Sequence, residues 1–229
     1  PAPSNAASIH FVLRRLDVVG NKTFIASGLL GSSNDLVGKE VSLAQIYGVA
    51  SGITRKYRDA GYILAAVIVP AQRISDGVVR LEVVEGFLSD VKVEGQGIRP
   101  GLIEGAKRRL QSDKPLRART LESVLLLLND LPGITAQGVL SPSATVSGGT
   151  DLTIKVAQER GSVSAGSSYR GSKLQGPAQL EANLVGNSLL GANDSTALKY
   201  LQAASADELR LFGLTHTERL SSGGVDLTL

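Results

Sequence analysis

Residues Tyr57 to Gly86 constrain this chain most: YRDAGYILAAVIVPAQRISDGVVRLEVVEG runs from the end of an amphipathic helix through a β-hairpin into a glycine turn. Val79, Leu81 and Val83 alternate with Arg80 and Glu82, the period of a strand with one buried face. The preceding strand is read over Tyr62 to Gln72, and Pro70 inside it has no N–H for a ladder, which puts that strand at a sheet edge. Asp76-Gly77 in the connection Ile74 to Gly77 is hairpin chemistry. A helix followed by such a hairpin is a packing unit with nothing reactive at its centre. A looser version of the same order follows from Val91 to Val156, and two tandem non-catalytic units point to binding rather than catalysis.

Upstream, residues 1 to 9 read as a flexible leader. His10 to Val19 reads as a strand with Phe11, Leu13 and Leu16 toward a core, Thr23 to Leu30 as a short helix, and GSSND as a loop. Ser42 is a plausible N-cap with Gln45 three residues on, and Leu43, Ile46, Tyr47, Ala50, Ile53 and Tyr57 recur at helical spacing. Gly61 follows as the natural residue past the helix end. Gly48 and Gly52 are costly inside a helix, and close packing against a strand is the expected reason for them.

The second unit is expected to hold a short strand at Val91 to Glu94, a helix from Gly101 to Leu110 and a second helix from Thr120 to Leu131 that stops at Pro132-Gly133. Leu121, Val124, Leu125, Leu128 and Leu131 make its core stripe, while Leu126 and Leu127 widen the apolar face toward a neighbouring unit. Ile134 to Leu140 and Asp151 to Val156 form a hairpin across the turn-rich SPSATVSGGT. Glu85-Gly86 marks the junction between the units, with Glu85 placed to pair with a basic residue across it.

From Glu159 onward charge thins and Ser, Gly and Asn rise. Five alternating segments appear: Gly161 to Tyr169, Ala178 to Val185, Thr196 to Ala203, Leu209 to Thr217, and Val225 onward. Their alternation suits a wall with lipid on one side and water on the other, and about five strands are fewer than the eight of the smallest membrane barrels. GNSLLGAND and SSGG read as tight turns and YRGSKLQG as a turn or loop. The longest apolar run, Ile63 to Pro70, is far short of the roughly 20 residues of a membrane helix, so membrane contact falls to strands.

Composition removes other chemistries. With no Cys there is neither a disulfide frame nor a thiolate metal site. The 24 basic and 21 acidic residues are interleaved, without the basic stripe and stacking aromatics of a nucleic-acid surface. His10 and His216 fall in different domains and neither sits in a triad, HExxH or phosphate-loop pattern. The spacing of Gly95, Gly97 and Gly101 fits a turn before a helix better than a dinucleotide loop. No enzyme activity, nucleotide or cofactor is expected.

The order β-α-α-β-β, met twice and followed by barrel-like strands, resembles the POTRA domains and opening barrel strands of outer-membrane translocators of two-partner secretion (TpsB type). GYILAAVIVPAQRISDGVVRLEVVEG is similar to that family's end of the first POTRA domain, LLLLNDLPGI to its second-POTRA helix terminus, and GTDLTIKV to the strand leading into the barrel. YRGSKLQG and NSLLGAND are similar to its first barrel turns, although YRG departs from the commoner Asn-containing form.

The resemblance implies an α+β chain: first POTRA domain 10–86, second POTRA domain 87–158, and initial strands of an incomplete β-barrel over 159–229. The family's plug helix and inward-folded loop are not expected within this stretch. It also implies a bacterial outer-membrane pore whose periplasmic POTRA domains capture an unfolded secreted exoprotein, of the hemolysin and hemagglutinin kind, and feed it outward without nucleotide hydrolysis. Lipid would meet the C-terminal strands.

Capture is expected by β-augmentation, an extended client adding a strand to an exposed edge. In the first unit that edge runs over Leu64 to Gln72, with Leu64, Ala66, Ile68 and Pro70 as contacts. In the second it is Ile134 to Leu140, with Ile134, Gln137 and Val139 on the edge and Leu121, Leu125 and Leu128 as a groove floor. The same leucine spacing is that of ordinary core packing, which the stripe favours for Leu125. An outer-membrane assembly insertase shares the architecture, with more POTRA copies as a rule. A non-transport periplasmic structural or enzymatic β-domain is the reading from another class, and it needs a catalytic cluster that the sequence does not supply.

Overall fold

The first expected strand changes partner halfway. In the computed structural model, which describes residues 2–74, 76–169, 178–191, 193–203, 209–219 and 225–229, β1 (His10–Val12) pairs antiparallel with β3 (Glu40–Ser42). β2 (Arg15–Val19) then pairs parallel with β5 (Val78–Val84). Between them Leu13 is buried, its N–H donating to Lys39 and its C=O accepting from Gly38, while the Arg14 N–H donates to Gly77. Residues 4–8 form turns ahead of β1, with Ala6 buried and its carbonyl accepting from the Ala44 N–H.

The chain divides into two compact units. One comprises Pro1–Asp90, Leu110–Leu121 and Leu140–Asp151; the other comprises Val91–Arg109, Glu122–Val139 and Leu152–Leu229. In the first, α1 (Ala26–Leu30) is shorter than the sequence predicts because the N–H groups of Lys22 and Thr23 are committed to the Glu85 carboxylate instead of to a helix. The expected GSSND loop is a 3-10 helix, Gly31–Leu36. α2 (Leu43–Asp59) starts as predicted: the Ser42 hydroxyl accepts from the Gln45 N–H and the Gln45 side chain accepts from the Ser42 N–H, satisfying two orphan donors. Ile46, Ala50, Ile53 and Tyr57 of α2 pack with Leu13, Leu16, Val79, Leu81 and Val83 in one core.

Gly48 and Gly52 do not pack against a strand: a Cβ built on either meets no atom within 4 Å. Space is therefore not the reason for them. Gly48→Ala and Gly52→Ala are each expected to stabilise the first unit by up to about 1 kcal/mol, the helix-interior cost of glycine. Chemical denaturation of each variant checks this, and a loss of stability would contradict it.

The sheet of this unit has the order β2-β5-β4, with β4 at Ala66–Ile68. β4 is well short of the predicted Tyr62 to Gln72 and pairs antiparallel with β5 as Ala66↔Val84, Val67↔Val83 and Ile68↔Glu82. That register, continued, brings Pro70 opposite Arg80, where proline has no N–H to donate. The Gln72 side-chain amide takes its place, donating to the Arg80 carbonyl at 2.8 Å and accepting from the Arg80 N–H at 2.9 Å. Pro70 thus ends the ladder. Gly86 closes the hairpin region at φ +67 with a built Cβ 2.5 Å from the Leu64 Cβ, a position that accepts no side chain without a backbone shift.

Further along, β6 (Phe87–Glu94), α3 (Pro100–Ser112), α4 (Ala118–Asn129), β7 (Ile134–Pro142) and β8 (Gly149–Gln158) repeat the order β-α-α-β-β, and the sheet runs β6-β8-β7. β6, α3, β7 and β8 are longer than read from sequence, while α4 keeps the expected length but begins and ends two residues earlier. Leu121, Val124, Leu128 and Leu131 are buried, whereas Leu126 is 64% exposed.

β9 (Gly161–Ser168), β10 (Gln179–Asn187), β11 (Asp194–Ala203), β12 (Arg210–Arg219) and β13 (Asp226–Thr228) form an open antiparallel meander in the order β13-β12-β11-β10-β9. Its register aligns Val163, Leu184, Leu198 and Leu214 in one row across four strands, all exposed, with Ala165, Ala182, Tyr200 and Phe212 beside them on the same face. Ser164, Asn183 and Lys199 line up on the other face. This is the expected alternation. The turn NSLLGAND holds Ser188 and Asn193 at positive φ; YRGSKLQG beyond Tyr169 and SSGG lie outside the described residues.

Candidate functional site

Among the described residues, both three-stranded POTRA-like sheets end in a strand whose outer side no other strand pairs with. β4 and β7 each stand at the end of their sheet. At β4 the N–H of Val67 points away from β5 and donates to the Thr54 hydroxyl of α2 at 3.0 Å; that hydroxyl in turn donates to the Ala50 carbonyl at 2.9 Å. A cavity of about 380 Å³ lies alongside, between α2 and the strand, with Tyr47, Gly48, Ser51, Val67, Ile68 and Ala2 among its walls.

At β7 the arrangement is tighter. The side-chain amide of Asn129, the last residue of α4, accepts from the Ala136 N–H at 2.9 Å and donates to the Ala136 carbonyl at 2.9 Å and to the Leu125 carbonyl at 2.8 Å. Because both backbone groups of Ala136 face Asn129, strand alternation turns those of Gly138 and Leu140 to the same open side and those of Gln137 and Val139 to the ladder.

The residues expected to touch a client fall into three sets. Ile68 at 45%, Val139 at 47% and Gln137 are exposed. Leu64, Ala66 and Pro70 are half-buried, and Leu121, Leu128 and Ile134 are buried. Leu125 is half-buried, its Cδ1 3.3 Å from where a Gly138 Cβ would stand. Thr54 and Asn129 escaped the sequence reading altogether. The signal for Asn129 was present in Asn-Asp-Leu-Pro-Gly, a polar side chain at a helix end one tight turn before an edge strand.

Glu85 is held by hydrogen bonds within the first unit. One carboxylate oxygen accepts from the Lys22 and Thr23 N–H groups at 2.7 Å each and from the Tyr57 hydroxyl at 2.9 Å. Burial pushes the carboxyl up, but these three hydrogen bonds outweigh it and hold Glu85 below the usual carboxylate range. Burial and the neighbouring Glu85 carboxylate push the Tyr57 hydroxyl far up. This is a structural clamp between β5, α2 and the chain ahead of α1.

The His216 ring meets the Thr196 hydroxyl, with Nδ1 and Oγ1 2.9 Å apart, and His10 is an exposed β1 residue. Among the described residues no group of three or more His, Asp or Glu side chains could hold a metal, and no helix is long and apolar enough to cross a membrane.

Comparison with known proteins agrees with this architecture. Residues 11–86 match the family model described as POTRA domain, ShlB-type. The heme/hemopexin transporter protein HuxB of Haemophilus influenzae is 26% identical over 204 residues, covering 87% of this chain and 36% of its own length. The outer membrane transporter CdiB of Escherichia coli is 26% identical over 238 residues, 99% of this chain and 38% of its own. A solved structure of Escherichia coli CdiB aligns with a TM-score of 0.71 at 21% identity, covering 95% of this chain and 41% of that chain, which shows the shared fold. The chain spans little more than a third of the curated relatives it matches. Both relatives are transporters by name.

Proposed function

We infer that this chain, a relative of TpsB-type transporters that carries a ShlB-type POTRA domain, serves an outer-membrane translocator of two-partner secretion. Residues 10–86 and 87–158 are its two POTRA domains in the periplasm, and 159–229 are strands of its outer-membrane barrel with lipid against the Val163, Leu184, Leu198 and Leu214 row. The client is a secreted exoprotein in unfolded form. It adds a strand to an open sheet edge, with main-chain hydrogen bonds giving sequence-tolerant affinity and the flanking side chains giving selectivity. Ile68, Gln137 and Val139 make the first side-chain contacts; Leu64, Ala66 and Pro70 frame the first edge, and the packed Leu121, Leu128 and Ile134 hold the second in place. The observation that carries this reading is that each POTRA-like sheet ends in a strand, β4 or β7, with an unpaired side.

The test uses the full chain in detergent micelles, a photo-crosslinking amino acid at Val139, and reduced, carboxymethylated α-lactalbumin as a permanently unfolded probe. Leu140→Pro removes a donor from the open side of β7 and is expected to lower capture at least roughly fivefold, while Leu140→Ala keeps the donor and captures normally. Equal capture by the two folded variants would remove β7 as the docking edge.

A further inference from the structure

An unpaired strand side in a folded protein invites unwanted pairing and is commonly blocked by proline, charge or a bulge. β7 has none of these at Ala136. It is closed instead by one neutral side chain whose hydrogen-bonding groups are those of a peptide bond. We propose that Asn129 is a displaceable peptide mimic: its amide occupies the Ala136 N–H and C=O that an arriving client strand requires, so strand addition at β7 proceeds by displacing Asn129. This rests on β7 being a docking edge, as argued above.

Three features favour displacement over a permanent staple. The amide supplies one acceptor and one donor to a single residue, the pattern an antiparallel neighbour would supply, so the exchange leaves Ala136 with the same number of partners. Asn129 is exposed, so the released amide is taken up by water rather than stranded in a core. It is also the last residue of α4, where helices open most readily. At β4 the corresponding device is weaker: Thr54 accepts from Val67, a hydroxyl in place of an amide. The Asn of the Asn-Asp-Leu-Pro-Gly terminus thereby acquires a function beyond ending a helix.

The same capture assay, at probe concentrations below saturation, decides the matter. Asn129→Ala opens the edge and is expected to raise capture at Val139 roughly tenfold, the order of closure that two hydrogen bonds of modest net strength can maintain. Asn129→Asp keeps the acceptor for the Ala136 N–H and loses both donors, and should fall between wild type and Asn129→Ala. Unchanged or lower capture by Asn129→Ala, with wild-type thermal unfolding, overturns the proposal. Should Asn129→Ala fail to fold, Asn129→Asp decides: capture above wild type supports displacement and capture at or below wild type overturns it. Loss of capture in Leu140→Pro together with no gain in the Asn129 variants would sink the mimic alone. No loss in Leu140→Pro would sink the docking edge and the mimic together.

Discussion

Glu85→Ala is expected to destabilise the first unit by about 3 to 4 kcal/mol, since hydrogen bonds to a charged group contribute more than neutral ones and their partners here are left in a partly dry site. Three donors lose their acceptor at once: the Lys22 and Thr23 N–H groups and the hydroxyl of Tyr57, itself a fully buried side chain. The ring of Tyr57 meets Phe24 edge-on at 4.9 Å and Tyr62 at 6.0 Å, so the loss spreads into the aromatic cluster beneath α1. Glu85→Gln keeps an oxygen in place and gives up only the charge; about 1 to 2 kcal/mol is expected for it. Hydrogen exchange of the α2 amides in the intact chain separates the variants. Equal protection in Glu85→Ala and wild type would show that the clamp holds nothing.

The same contact gives the unit a pH dependence with a defined sign. Glu85 sits below its ordinary value in the folded chain, so the folded state binds the proton less readily than the unfolded one. Its contribution is complete above the unfolded value, near 4.5, and is lost as pH falls through the folded value. α2 protection should therefore fall on acidification below that point in wild type and show no such step in Glu85→Gln.

Local periodicity explains what was legible from sequence. The Ser42 and Gln45 capping box, the α2 stripe ending at Tyr57, the alternation of Val79, Leu81 and Val83, and five strands after Glu159 are all set by spacing within one element. Contacts set by residues far apart in the chain were not legible. The short α1 depends on Glu85, some sixty residues away, and the early end of β4 depends on a side chain, that of Gln72, standing in for a proline. Gly48 and Gly52 misled for the opposite reason: a costly residue suggested a neighbour, and there is only open space. The edge strands could be read from Pro70 and from the flank after Leu140, whereas Thr54 and Asn129, which close them, act through hydrogen bonds across 13 and 7 residues that no hydrophobic pattern reports.

Asn193→Ala is expected to loosen the second unit by about 3 to 5 kcal/mol, combining two lost hydrogen bonds, the burial of their former partners and a left-handed backbone that alanine resists. Asn193 is fully buried at φ +71; its Oδ1 accepts from the Arg99 N–H at 3.0 Å and its Nδ2 donates to the Gly97 carbonyl at 2.6 Å. It thereby ties the turn between β10 and β11 to the start of α3, where the Arg99 guanidinium also donates to the Glu218 carboxylate and the Arg219 carbonyl at the end of β12. Asn193→Gly relieves the backbone but restores neither hydrogen bond, so the difference between the two variants, about 1 kcal/mol, isolates the strain. Protease susceptibility in detergent and exchange of the Arg99 amide report the remainder. If both variants protect the Arg99 amide as wild type does, the turn and the helix start are held by Arg99 and Glu218 alone. A loss common to both assigns the joint to the asparagine, because a half-exposed charge pair such as Arg99 and Glu218 contributes by itself on the order of 1 kcal/mol.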